Sequence, residues 1–308
     1  MCAEKPDVVL ASSPPIFPML PVWIICKLRG IPLVFEVRDL WPESAVQMGI
    51  LRNRALIRVM SWMERLLYDK AVRIVTLTRG IRDDIHGRGW PADKLEVITC
   101  GIDTQMLYSD AEASVEIRRD FGWEGRNTIL YFGAMGEANN LDVVIDAAMH
   151  CQDENTLFLL IGDGMKRASL EQRVAELKIN NVQLLAPVSK SQARRFINAA
   201  DICLVTLQDI PLFKGAIPTK LLDYMACGRP VLCGIGGEAA EIVDDAQAGF
   251  VFQPNSSEQL SLIITELMGS EAMRSKMGLN GAEYIKANFG ALQGRAAMTA
   301  LLEKVVSC

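Results

Sequence analysis

Residues 128–162 read TILYFGAMGEANNLDVVIDAAMHCQDENTLFLLIG. Two apolar runs, 128–134 and 156–162, flank the segment 140–152, in which apolar residues recur at helical spacing. Runs that are apolar on both faces are typical of parallel strands buried between two layers of helices. The stretch therefore predicts one strand–helix–strand unit of a parallel sheet.

The same alternation continues on both sides of this unit. Downstream, strands are predicted at 182–188, 201–207, 230–235 and 249–254, with helices at 165–178, 189–199, 219–227, 237–245 and 257–268. Upstream, strands are predicted at 7–12, 32–37, 71–78 and 94–103, with helices at 18–29 and 50–69. Residues 104–126 lack a strand signal and are predicted to be a linker with one short helix. We therefore expect an α/β fold of two doubly wound domains, with ligands at the carboxyl ends of the strands.

Composition excludes several classes of function. The 308 residues carry a formal net charge of −5, whereas a general nucleic-acid binder would present a basic surface. Eight cysteines without a Cys-x-x-Cys pair and only two histidines argue against a zinc site. We interpret the cysteines as reduced residues of a cytoplasmic protein. The apolar segment 15–30 is interrupted by prolines and too short to span a bilayer, so it predicts a buried or an interfacial helix.

A second informative stretch is GAIPTKLLDYMACGRPV, residues 215–231. It predicts a short helix that starts after Pro218, is capped by Thr219 and ends at Gly228. The N-terminus of a helix offers unpaired N–H groups and a partial positive charge, which suits a diphosphate.

The ordered set of motifs resembles the retaining GT-B glycosyltransferases of family four, also called group 1. The matching stretches of the second half lie within residues 128–254. In the first half, VRDLWPES (37–44) and VITCGID (97–103) resemble the acceptor domain of a branch that builds bacterial surface polysaccharides. The resemblance covers nearly the whole chain, but members usually have more residues before the strand that matches residues 7–12. We therefore expect an N-terminally shortened member.

The resemblance implies two Rossmann-like domains that face a cleft, the first of them incomplete. The expected limits are 1–110 for a partial acceptor-binding domain and 111–285 for the domain that binds the nucleotide sugar. Residues 286–308 are expected to form a C-terminal helix that packs back on the first domain.

The resemblance places the nucleotide at the helix after Pro218. Lys214 and Lys220 would neutralise the departing diphosphate, and Asp223, at the second acid of the family's Glu-x7-Glu motif, would bind the ribose hydroxyls. The first acid of that motif falls on Gly215, which leaves the donor sugar open. The structural alternative is a capped helix with solvated lysines and an acid that stabilises the helix dipole.

Further candidates for the phosphates lie nearby. Gly133 would let a phosphate approach the main chain, and Thr219 lies at the start of the helix. Asn139 or Asn140 would replace the Arg and Lys that the family carries after this strand.

The remaining donor-site candidates would border the base and the sugar. Val188 would pack against the base, and Gly236 and Gly237 would let the backbone approach the sugar. Glu238 and Glu241 begin the next predicted helix, where they would bind a sugar hydroxyl or simply stabilise the helix dipole.

In the first half, Arg38 and Asp39 emerge at the carboxyl end of a predicted strand and are expected to face the cleft. Asp39 would hold or deprotonate an acceptor hydroxyl, and Arg38 would pair with an acceptor phosphate. The alternative is an Arg–Asp pair on the surface.

Together these features predict retaining transfer of a sugar from a nucleoside-diphosphate donor, UDP-linked by preference, to a lipid-linked saccharide on the cytoplasmic face of a membrane. The chain has no Asp-x-Asp motif, so neither a metal nor a cofactor is expected. The apolar segment 16–26 and the arginine-rich segment 50–65 are candidate membrane-docking elements.

Three alternatives stay open. The chain could bind a nucleotide sugar without transferring it, or it could be a fragment of a longer protein. It could also be a sugar-nucleotide 2-epimerase, which the scarcity of histidine and the absence of a Glu at position 215 disfavour.

Overall fold

The computed structural model describes residues 4–151 and 153–307. The chain forms two compact units, one made of the residues up to Gly101 together with those from Ala291, and the other of Ile102–Gly290. The boundaries between the units thus fall after residues 101 and 290, whereas the sequence predicted domain boundaries after residues 110 and 285. The predictions for Cys2 and Cys308 lie outside the described residues.

The described residues of the first unit build a four-stranded parallel sheet in the order β1-β2-β3-β4. The strands are β1 (Val9–Ser13), β2 (Leu33–Val37), β3 (Arg73–Thr76) and β4 (Leu95–Val97). The helices are α1 (Met19–Arg29), α2 (Glu43–Gln47), α3 (Arg54–Lys70) and α4 (Arg79–Gly87).

Side-chain caps explain two differences from the predicted elements of this unit. The helix expected over 50–69 begins later, at Arg54, because the side chain of Asn53 accepts from the N–H groups of Ala55 and Leu56 and caps α3. Helix α4, which the periodicity did not predict, begins in the same way, with the Thr78 hydroxyl accepting from the N–H of Ile81.

In the second unit, the part of the chain that the structure describes forms a six-stranded parallel sheet in the order β10-β9-β8-β5-β6-β7. Its strands are β5 (Asn127–Phe132), β6 (Thr156–Ile161), β7 (Val182–Leu185), β8 (Ile202–Thr206), β9 (Val231–Gly234) and β10 (Gly249–Val251). Its helices are α5 (Ala111–Phe121), α6 (Asp142–His150), α7 (Arg167–Glu176), α8 (Lys190–Ala199), α9 (Thr219–Ala226), α10 (Glu238–Asp245), α11 (Ser257–Met268) and α12 (Glu271–Asn288). The predicted six strands and their parallel arrangement are confirmed.

Successive side chains of β5 pack against helices on opposite faces of the sheet. Ile129 and Tyr131 pack with residues of α6 and α11, whereas Leu130 packs with residues of α8 and α9. All three are fully buried, which explains why the strand is apolar on both faces.

The helix of the 215–231 stretch differs from its prediction at one end only. Gly228 has the expected left-handed conformation after the last turn of α9, with φ of 68°. The capping prediction for Thr219 is wrong. Pro218 occupies the N-cap position without a side-chain hydrogen bond, Thr219 is the first helical residue, and the N–H of Leu221 donates to the carbonyl of Pro218 at 2.9 Å.

The last helix, α13 (Ala291–Val306), belongs to the first unit. Its Leu301 packs in one cluster with Val34, Val75 and Ile98 of that unit's sheet. Within residues 4–151 and 153–307, no helix has both the length and the hydropathy that crossing a bilayer requires.

Candidate functional site

The loops that follow β5, β8 and β9 lie side by side, because these three strands are neighbours in a parallel sheet and end at the same edge. The first two loops are tied together. The hydroxyl of Thr206 donates to the carbonyl of Asn139 at 2.6 Å, and the N–H of Gln208 donates to the carbonyl of Ala138 at 2.9 Å. This edge of the second unit holds most of the residues predicted to bind the donor.

Lys220, in the first turn of α9, lies at the end of β5. Its Nζ donates to the hydroxyl of Tyr131 at 2.6 Å and lies 3.9 Å from the centre of the Tyr131 ring. A Cβ on Gly133 would stand 3.1 Å from the same Nζ. The structure thus brings together Lys220 and Gly133, two residues that the sequence placed in the phosphate site from separate motifs.

The surroundings of Lys220 disfavour its positive charge. Burial lowers the pKa of the Lys220 ammonium to about 7, because the charged form loses hydration. Burial also raises the pKa of Tyr131, so its phenol stays neutral beside the lysine. An anion that entered next to Nζ would restore the charge of the lysine and be stabilised by it.

Helix α9 is held against β5 by a second tyrosine. The hydroxyl of Tyr224 accepts from the N–H of Phe132 at 2.8 Å and donates to its carbonyl at 3.2 Å. Asp223 is half-buried and lies three residues after Lys220, on the neighbouring part of the helix surface. The first N–H groups of any α-helix point out of its N-terminus, so in α9 they lie beside Lys220, which is in the first turn.

Lys214 lies in a 3₁₀ turn at Pro211–Gly215 that packs on α10, the helix after β9. A Cβ on Gly237, where φ is 69°, would overlap the carbonyl of Lys214, and a Cβ on Gly236 would meet the Lys214 side chain at 4.0 Å. The side chain of Lys214 is exposed. The structure therefore places Lys214 beside the Gly-Gly pair, as an exposed cation next to a bare stretch of backbone.

Two acids begin the helix after this glycine pair. Glu238 is buried at the start of α10, with 7% of its surface exposed, and Glu241 is exposed one turn later. Their roles toward a sugar stay predictions.

The predicted roles of three other residues also stay predictions, and their side chains have structural partners. Oδ1 of Asn139 accepts from the N–H of Gly136 at 3.2 Å. Nδ2 of Asn140 donates to the carbonyl of Pro254 at 2.8 Å and to Oδ1 of Asn255 at 3.0 Å. Val188 is half-buried and packs against the core on the α8 and α9 side.

Sequence analysis missed Tyr131 and Tyr224. Both hydroxyls bind at the end of β5, and both rings are fully buried. The signal for Tyr131 was present, since a phenol in the apolar run that precedes Gly133 needs a hydrogen-bond partner at the strand end.

In the first unit, Asp39 and Arg38 follow β2 as predicted, but they have different partners. Oδ2 of Asp39 accepts from the hydroxyl of Ser44 at 2.9 Å. Burial raises the pKa of Asp39, and the hydrogen bond from Ser44 opposes this only in part. Arg38 is exposed and lies 3.9 Å from Glu36, which accepts from the hydroxyl of Ser12. A half-buried carboxylate with a raised pKa is suited to receive a proton.

The described side chains include no group of three or more His, Cys, Asp or Glu arranged to hold a metal ion. At the edge of the second sheet, Lys220, Lys214 and the first amides of α9 supply positive charge.

Comparison with known families gives two matches. The family described as glycosyl transferases group 1 matches residues 114–284, which is more than half of the chain. The family described as glycosyl transferase 4-like domain matches residues 1–101. The two matches correspond closely to the two units of the fold.

Among curated proteins, the chain is similar to the "Probable glycosyltransferase WbjE" of Pseudomonas aeruginosa. The two are 23% identical over 292 residues, which cover 92% of this chain and 73% of WbjE.

Among solved structures, HepE of Anabaena in complex with UDP has a TM-score of 0.82 and 18% identity, covering 96% of this chain and 78% of HepE. WaaG, a glycosyltransferase involved in lipopolysaccharide biosynthesis, has a TM-score of 0.72 and 19% identity, covering 90% of this chain and 79% of WaaG. These likenesses confirm the predicted GT-B fold of two Rossmann-like domains.

Proposed function

The chain belongs to the glycosyl transferases of group 1, and on that premise we propose that it transfers a sugar from a UDP-linked donor, with retention, to a lipid-linked saccharide. The product would be a cell-surface polysaccharide built on the cytoplasmic face of a membrane. The observation that carries the proposal is the position of Lys220, whose ammonium lies beside Gly133 at the N-terminal end of α9. The crystal structure of HepE with UDP and the role of WaaG in lipopolysaccharide biosynthesis support the choice of donor and pathway.

In this proposal the diphosphate of the donor lies between Gly133 and the first turn of α9. Lys220, Lys214 and the helix amides stabilise the negative charge that grows on the diphosphate as the bond from the anomeric carbon to its oxygen breaks. Asp223 accepts hydrogen bonds from the two ribose hydroxyls. The lysines and amides supply the positive charge, so the proposed reaction needs no resident metal ion or cofactor.

The acceptor hydroxyl attacks the anomeric carbon from the face that the diphosphate leaves. A bond forms from the acceptor oxygen to the anomeric carbon, and the hydroxyl proton passes to an oxygen of the departing diphosphate. Asp39 accepts a hydrogen bond from the acceptor hydroxyl and orients it, and Arg38 binds an acceptor phosphate. The protein mainly positions the reactants and excludes water, as it need not form a covalent intermediate.

The proposal is tested by measuring binding and turnover separately. Binding of UDP and GDP is measured by calorimetry on the unchanged chain and on Asp223→Ala. Turnover is measured on the same two proteins by hydrolysis or transfer assays with a panel of UDP- and GDP-sugars. Turnover of a UDP-sugar supports the transferase, while binding without turnover of any donor favours a binding module. Interconversion of the free sugar nucleotides favours an epimerase. If neither nucleotide binds, the proposal is wrong.

Asp223→Ala should raise the Kd for UDP by about 10- to 100-fold, because a hydrogen bond to a charged group contributes about 1.5–3 kcal/mol. The matched control is Asp245→Ala, which removes an exposed acid at the C-terminal end of α10. It should leave the Kd unchanged. Equal UDP affinities for the two variants would argue against the ribose role.

The proposed acceptor requires contact with a membrane, and one face of the first unit suits it. Helices α1 and α3 pack together and expose large apolar side chains, namely Ile24, Ile25, Leu28, Val59 and Trp62. Arg52, Arg54 and Arg58 are exposed at and just before the start of α3. We call this set the basic apolar face. Apolar side chains beside arginines are typical of surfaces that lie in the interface of an anionic membrane.

Replacing Arg52, Arg54 and Arg58 together by Glu should abolish co-sedimentation with vesicles that contain anionic lipid. Each basic residue near such a surface contributes about 1 kcal/mol, so loss of three attractions alone predicts about a 100-fold weaker partition. The control reverses three exposed cations of the second unit, Arg119, Lys276 and Lys286. Equal sedimentation of the two variants would exclude the basic apolar face as the docking surface.

A further inference from the structure

We propose that Tyr131 is a positioning residue for the donor site, and that its hydroxyl holds the ammonium of Lys220 at the place where the diphosphate binds. The proposal rests on the function proposed above and deepens it. It names a residue that neither the family matches nor the sequence motifs assign to the site.

The hydrogen bonds of the Tyr131 hydroxyl have a defined direction. The hydroxyl lies 2.6 Å from the carbonyl of Ala134, which can only accept, so the single proton of the phenol is donated there. The hydroxyl oxygen therefore accepts from Nζ of Lys220, also at 2.6 Å. One phenol thus joins the lysine to the first residues of the loop after β5.

The contact crosses the edge of the sheet. The ring of Tyr131 packs in the helix layer of α6 and α11, whereas Lys220 starts from α9 in the opposite layer. Lys220 reaches the phenol past Gly133, where a Cβ would stand 3.1 Å from Nζ and 3.3 Å from Cε. With φ of 142°, position 133 also has a backbone that favours glycine. The same bare backbone leaves room for a phosphate beside the ammonium.

Fixing the lysine in advance should favour the charged complex. A free lysine loses side-chain entropy when it is held in one conformation. Here the hydroxyl and the ring face of Tyr131 already hold the ammonium before a ligand arrives. Donor binding then need not order the side chain.

The titratable groups near Lys220 come from three elements. Tyr131 faces it from β5, Asp223 and Tyr224 share its helix, and Cys203 of β8 packs in the same core cluster as Tyr224. Burial raises the pKa of both tyrosines and of Cys203, which keeps them neutral.

Binding of a diphosphate favours the ammonium, so above a pKa of about 7 it must be accompanied by proton uptake. The affinity should therefore fall as the pH rises through this value, until it reaches the higher pKa of the complex. Without the Tyr131 oxygen the ammonium loses an acceptor, so the free lysine should titrate at lower pH and the loss of affinity should begin earlier.

The test is calorimetry of UDP binding between about pH 6 and pH 9 on the full chain and on Tyr131→Phe. The ring is kept, so packing is preserved. We expect the Kd at pH 7.5 to rise about tenfold, as for loss of one hydrogen bond to a charged group. The ratio of the two Kd values cancels the titration of UDP itself and should grow as the pH rises through neutrality.

Two variants separate positioning from structure. Tyr224→Phe removes a hydroxyl that binds only the backbone of Phe132 in the bonds described, and it should lower thermal stability without changing the pH profile. Lys220→Arg keeps a charge at all these pH values and should flatten the profile.

The outcomes are distinct. If Tyr131→Phe binds UDP with the unchanged affinity and pH profile, whatever its thermal stability, the hydroxyl is only structural and the inference is wrong, while the proposed function stands. If Lys220→Arg retains the full pH dependence, Lys220 is not the titrating group and the inference is again wrong. If the unchanged chain does not bind UDP at any pH, the proposed function fails and the inference fails with it.

Discussion

Lys220→Ala should lower kcat/KM for sugar transfer by about 10²- to 10³-fold, the range measured when one donor that stabilises a developing anion is removed. The reason is its position. The ammonium lies at the end of β5 beside bare backbone, where a departing diphosphate would meet it in partly dehydrated surroundings. The free energy of unfolding of Lys220→Ala should rise or stay unchanged, because a buried ammonium costs free energy in the empty site.

The matched control is Lys166→Ala. Lys166 follows β6 at the same edge, but its ammonium lies 3.3 Å from Asp142 and 3.7 Å from Glu137, which already neutralise it. Its loss should change kcat/KM by less than about threefold, as expected for a partly exposed ion pair worth at most about 1 kcal/mol. Initial rates with a UDP-sugar donor compare the two variants, and equal rates would remove Lys220 from the mechanism.

Gly162→Ala should lower the free energy of unfolding of the second unit by at least about 3 kcal/mol. Two costs combine at this position. The φ of 154° is one that a residue with a side chain rarely adopts, and the new Cβ would overlap the carbonyl of Gly133. The backbone of one of the two loops must therefore move.

Gly125→Ala separates these two costs. Gly125 also has a positive φ, of 70°, but a Cβ there would meet nothing within 4 Å, so only the backbone cost of about 1 kcal/mol remains. Urea unfolding of both variants measures the difference. Because the new Cβ would overlap Gly133, Gly162→Ala should also weaken UDP binding. If Gly162→Ala were as stable as Gly125→Ala, the close approach of the Gly162 and Gly133 backbones would be disproved.

Much of the candidate site could be predicted because its residues lie at ends of elements. Gly133 follows an apolar strand, and Lys220 lies in the first turn of a helix with a recognisable end at Gly228. In a parallel sheet such ends share one edge, so two local signals place both residues in one region. The error at Thr219 arose because two adjacent residues could each occupy the N-cap position of α9. Pro218 occupies it, and Thr219 is the first helical residue.

The amino-acid sequence by itself determined the fold class, the number of strands in each unit and the edge of the sheet where the candidate residues lie. These follow from periodicity and from glycine and proline positions, which act over a few residues. Only the tertiary structure decided which side chains meet at that edge. The contact of Tyr131 with Lys220 joins residues 89 positions apart. It exists because β5 and β8 are neighbours and because Gly133 leaves the sheet edge open. No local pattern encodes that juxtaposition, since it depends on strand order and on the space left by packing.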